Sequence, residues 1–108
     1  MSQVVIRQAG PLPIKQGIMW PSSESIIVAV SGSAWTQKPS TLLTVQVTVD
    51  DKVLGTIQLL AGVATTHLAL PTGFFAIQRQ ISQAVLTLSA GSDTVTDGND
   101  QFTVALIF

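Results

Sequence analysis

Val, Ile and Thr supply 33 of the 108 residues (12, 9 and 12), and Gly, Pro, Asn and Asp divide them into pieces of strand length. β-Branched side chains are stiff at χ1, crowd a helix and pack well on a pleated surface. Many short apolar pieces separated by turn residues leave no room for crossover helices, so the sheets must be antiparallel. The expected fold is all-β: an antiparallel β-sandwich, jelly-roll or Greek-key like, with about 7–9 short strands. One such domain is expected to span residues 1–108.

Along the chain, Gln3–Gln8 reads as a first strand, halted by Ala9-Gly10-Pro11-Leu12-Pro13. Prolines donate no ladder hydrogen bond, which marks this stretch as loop or edge. Lys15–Trp20 is a short second strand. Glu24–Gly32, with Ile26, Ile27, Val28, Ala29 and Val30, reads as a central strand covered on both faces. A polar loop, 32–41, carries Trp35. In 44–49, Val45, Val47 and Val49 alternate with Thr44, Gln46 and Thr48, which gives one buried face and one wet face. Asp50-Asp51 turns the chain into Val53–Leu60, where Gly55 marks a bulge or a close neighbour. Val63–Leu70 follows Gly62. Phe74, Ile77, Ile81, Ala84, Val85 and Leu88 lie at helical spacing, but Val85-Leu86-Thr87-Leu88 is β-rich. Two strands with a break near Gln80–Ser82 are the favoured reading, with a short helix at 74–83 as the alternative. Residues 91–100 form a polar loop before the alternating Gln101–Phe108.

Charge is scarce. Asp, Glu, Lys and Arg make up 10% of the chain, against roughly 25% in average globular proteins. Arg7, Lys15, Lys38, Lys52 and Arg79 are scattered and the net charge is −1, which provides no field for nucleic acid. Val53–Gln78 carries no formal charge over 26 residues, but Gly55, Gln58, Gly62, His67, Pro71 and Gly73 interrupt any membrane span. Zero Cys excludes disulfides and thiolate metal sites. The N-terminus lacks the basic and apolar regions of a signal peptide, so a cytoplasmic location is the default expectation, with export by a route without a cleaved signal as the alternative.

His67 is the single histidine, no G-x-S-x-G occurs, and Asp50-Asp51 is ordinary turn chemistry, so an enzyme is not expected. The densest polar cluster is Asp93-Thr94-Val95-Thr96-Asp97-Gly98-Asn99-Asp100. Asp93, Asp97, Asn99 and Asp100 are hard oxygen donors of the kind Ca²⁺ takes, although the EF-hand order is missing. A plain loop whose Asp, Asn and Gly serve the backbone is the competing reading. Trp35, His67 and Trp20 are the candidate ligand-binding residues. An indole stacks on a sugar ring as readily as it caps a sandwich core, and His67 would otherwise be a solvated strand residue or bond a hydroxyl such as Thr65.

The segment Asp93–Ile107 resembles the C-terminal loop and strand of small bacterial calcium-dependent sugar-binding lectins. That resemblance implies acidic loop residues holding calcium and calcium holding sugar hydroxyls. It covers this segment alone.

Doubled apolar residues (Ile26/Ile27, Leu42/Leu43, Val53/Leu54, Leu59/Leu60, Phe74/Phe75) place hydrophobic side chains on both strand faces, while one sandwich has a single inner side. A homo-oligomer is therefore expected. The leading functional reading is a non-catalytic, lectin-like carbohydrate-binding module, oligomeric and so multivalent. The alternative is a structural, self-assembling β-sandwich such as a phage or virion component.

Overall fold

The β-branched runs form ten strands: β1 (Ser2–Ala9), β2 (Ile14–Met19), β3 (Ser25–Ser31), β4 (Ser33–Ala34), β5 (Thr41–Val49), β6 (Lys52–Ala61), β7 (Leu68–Ala69), β8 (Gly73–Gln78), β9 (Gln83–Ala90) and β10 (Gln101–Ile107). This computed structural model describes residues 1–78 and 83–108, and no described residue is helical. The count exceeds the expected range because β4 and β7 are two-residue pieces pairing with each other. No helix among the described residues is long and apolar enough to cross a membrane.

The eight longer strands form two four-stranded sheets, β1-β10-β3-β8 and β2-β9-β5-β6, with every pairing antiparallel. Each sheet interleaves strands from both halves of the chain, the order of a jelly roll. The core lies between the sheets. It takes alternate residues: Ile26, Val28 and Val30 from β3, Val45, Val47 and Val49 from β5, and Phe102, Val104 and Leu106 from β10.

Within the single chain, that period of two covers one face of each strand. Ile26 is fully buried while Ile27 is 40% exposed, and Leu43 is buried while Leu42 is 47% exposed. Successive side chains point to opposite faces whatever their polarity, so one member of each doublet is turned outward. The helix alternative at 74–83 fails over β8, whose pairing with β3 runs from Gly73 to Gln78. The break expected near Gln80–Ser82 lies outside the described residues. Within Val63–Leu70 only Leu68–Ala69 is strand, which leaves His67 on a loop. At Gly55 both expected features occur. Val47 pairs Gly55 while Thr48 pairs Val53, a bulge at Leu54, and a Cβ on Gly55 would overlap the Phe75 ring.

The topology gathers the β1–β2, β4–β5, β6–β8 and β9–β10 connections at one end of the sandwich. The Asp50-Asp51 turn lies at the other.

Candidate functional site

Loops carry polar backbone that must be paired somewhere, and here the loops of one end pair with each other. Trp35 N donates to Val95 O (2.9 Å) and Val95 N returns the bond to Trp35 O (2.8 Å). Gly10 N donates to Asp100 O (2.8 Å), Leu12 N to Thr96 Oγ1 (2.8 Å), and Thr65 N to Thr36 O (2.7 Å). Thr65 is held at φ 57°, a left-handed value costly for a β-branched residue. That turn presents His67, two residues on, to the 91–100 loop.

Asp100 is the hub. It has no exposed surface, and a bare buried carboxylate would be expensive. Ser33 Oγ donates to its Oδ1 (2.6 Å), His67 Nδ1 approaches the same oxygen (2.7 Å), and Asp97 N donates to Oδ2 (2.9 Å). A carboxylate only accepts, so His67 carries its proton on Nδ1. Its Nε2 faces outward, 3.7 Å from Asp97 Oδ2, too long for a hydrogen bond but close enough for ion pairing once the ring is protonated. Asp97 is fixed in turn: its Oδ1 accepts from Asn99 N (2.8 Å). The Trp35 ring lies beside the imidazole, centroids 5.8 Å apart and tilted by 46°.

The hydrogen bond to Asp100 holds the His67 pKa above its ordinary 6.5; desolvation opposes this, and the charges of Asp100 and Asp97 add to it. Because the folded value lies above the unfolded one, the stabilisation is complete below about pH 6.5 and is lost as pH rises through the folded pKa. Melting temperature should therefore fall as pH rises above about 6.5, and His67→Gln should flatten the profile. Parallel curves for the two proteins would remove any role for the pair.

The sequence-predicted residues separate into two groups. His67, Asp97 and Asp100 come together, with one ligand atom from each lying within 4.8 Å of the others. Such a group could hold a cation. Its donor chemistry is nonetheless mixed: one imidazole nitrogen and two carboxylates, where Ca²⁺ takes six to eight oxygens, and the oxygens of Asp100 already accept three hydrogen bonds. Asp93 points elsewhere, pairing with Lys38 across 3.7 Å at the surface. Asn99 is exposed and touches the cluster through its backbone N–H. Trp35 belongs to the site. Trp20 does not: it is 7% exposed and packed into the core. Ser33 positions Asp100 through its hydroxyl. No local pattern could reveal this, since 67 residues separate them.

Two clefts of about 470 and 390 Å³ flank Asp50 at the opposite end of β5. They carry no histidine and are remote from this chemistry.

In overall fold the chain is similar to a solved structure described as the EclA C-terminal domain, a sugar-binding protein. The TM-score is 0.52 at 17% identity, covering 94% of this chain and 69% of that one. No protein-family model matches the chain, and no curated protein matches its sequence.

Proposed function

We propose that the chain is a non-catalytic carbohydrate-binding module whose ligand lies across Trp35, His67 and Asp97 at the loop end of the jelly roll. The observation that carries this reading is the convergence there of an indole face, an imidazole and a surface carboxylate held by fixed backbone contacts. A sugar presents an apolar ring face and directional hydroxyls, and such a surface offers a stacking partner and polar groups at set spacing. The fold likeness to a sugar-binding domain supports it. Catalysis is disfavoured by geometry: Ser33 and His67 both donate to Asp100 Oδ1, so the serine is not hydrogen-bonded to the base a relay would need.

A glycan array is the direct test. A defined set of glycans should bind, and Trp35→Ala and Asp97→Asn should each weaken binding by about 30-fold or more, the loss typical of a central contact. A flat array, or variants that bind like the parent, would reject the reading. The same array run in EDTA and in calcium decides the cation question. Binding lost in EDTA and restored by calcium places an ion at His67, Asp97 and Asp100; unchanged binding leaves the His67 imidazolium as the charge facing both carboxylates.

A further inference from the structure

The outer face of the β1-β10-β3-β8 sheet arranges its apolar residues in an ordered way. Among the described residues of these four strands Arg7 is the one charged side chain. The opposite sheet also exposes apolar residues, Met19, Leu42, Val53, Leu60 and Val85, and turns Thr44, Gln46, Thr48, Gln58, Thr87 and Lys15 outward with them. What sets the first face apart is the register of its large and small side chains.

Strand register sets the apolar residues in two adjacent rows. One row runs Ser2–Ile107–Ile27–Ala76 and the next Val4–Ala105–Ala29–Phe74, each crossing β1, β10, β3 and β8 in order. Val4, Ile27, Phe74 and Ile107 are 48%, 40%, 64% and 38% exposed. In every strand one row carries a small side chain and the other a large one: Ser2 with Val4, Ala105 with Ile107, Ala29 with Ile27, Ala76 with Phe74. A twofold axis lying across the strands between the rows superposes row one of a copy on row two of its partner. Ile27 then meets Ala29, Ile107 meets Ala105, Phe74 meets Ala76 and Val4 meets Ser2, a large residue over a small one at all four strands.

We infer that this face is a twofold self-association surface, occupied by a second copy of the chain. Two sheets so related run nearly aligned, as stacked sheets do once their twist is allowed for, and their side chains interdigitate about 10 Å apart. The size fits as well. Four strands at about 4.8 Å spacing and seven residues at about 3.4 Å make a flat projection of roughly 450 Å² per copy. Two copies give roughly 900 Å² before side-chain relief is added, which brings the accessible area toward the 1,200–2,000 Å² of specific interfaces. A charge-depleted centre is the composition of such interfaces. The inference stands independently of any ligand at the loop end.

Sedimentation of the full chain should show a dimer at micromolar concentration. Ile27→Lys should raise the dimer dissociation constant by about 30-fold or more, because the charge is buried twice in an isologous contact. Leu60→Lys, on the other sheet, should leave it unchanged. The sharper pair probes shape. Ala29→Ile sets isoleucine against isoleucine and should weaken the dimer, whereas Ile27→Ala combined with Ala29→Ile exchanges the sizes within β3 and should restore it. Circular dichroism and melting confirm that each variant is folded. A wild-type monomer, a dimer indifferent to Ile27→Lys, or a double variant no better than Ala29→Ile alone would each overturn the proposal.

Discussion

Asp100→Ala should lower the unfolding free energy by about 3 kcal/mol, because it deletes a buried carboxylate that three donors depend on. Ser33 Oγ at 2.6 Å, His67 Nδ1 at 2.7 Å and Asp97 N at 2.9 Å all lose their acceptor. Hydrogen bonds to a charged group are worth about 1.5–3 kcal/mol net when enclosed, but His67 is solvated and recovers water, so the three do not sum in full. For a domain of this size the loss corresponds to a melting temperature lower by about 10 °C. Asp100→Asn tests the mechanism more finely. Its amide can keep the oxygen toward Asp97 N while the NH₂ faces Ser33 Oγ and a neutral His67. It should therefore cost about 1 kcal/mol and abolish the pH-dependent stability linked to His67. Urea unfolding of both variants measures this. A change under about 0.5 kcal/mol for Asp100→Ala would mean that the hub is not structural.

Phe102→Ala should cost more, about 3–5 kcal/mol, a third or more of the stability of a typical domain. Phe102 is fully buried, and its ring occupies the space that Gly32 leaves empty. A Cβ built on Gly32 would stand 2.6 Å from Phe102 Cε1. The ring thus anchors β10 two residues beyond Asp100, beneath the loop that carries the site. Gly32→Ala alone should destabilise by about 1–3 kcal/mol through overpacking. In the Phe102→Ala background the same methyl enters a cavity, so the double variant should be markedly more stable than additivity requires. Additive losses in denaturant unfolding would disprove the ring–glycine contact.

Much of the fold was legible because strand periodicity is local. Val45, Val47 and Val49 alternate with polar neighbours in any window that contains them, and they are buried as that alternation predicts. Gly55 signalled its bulge by the lack of a side chain. The candidate site was legible by half. Scarcity of charge drew attention to residues 93–100, and two of the four oxygen donors singled out there, Asp97 and Asp100, do join His67. Asp93 and Asp97 looked equivalent in sequence. They diverge because Asp93 takes a left-handed turn (φ 58°) toward Lys38, while Asp97 is pinned through its N–H to Asp100. Trp20 and Trp35 both adjoin turns. The jelly-roll connections place Trp35 beside His67 and leave Trp20 in the core.

The sequence by itself determined the all-β class, the positions of the longer strands, and the inward or outward direction of most side chains, since a period of two needs no distant partner. Only the tertiary structure decided which residues meet. His67 and Asp100 are 33 positions apart, and Ser33 and Asp100 are 67 apart. The rows Ser2–Ile107–Ile27–Ala76 and Val4–Ala105–Ala29–Phe74 exist because inter-strand register aligned four separate segments. Register depends on the packing of both sheets at once, because a slip of one residue would turn every core side chain of a strand out to solvent.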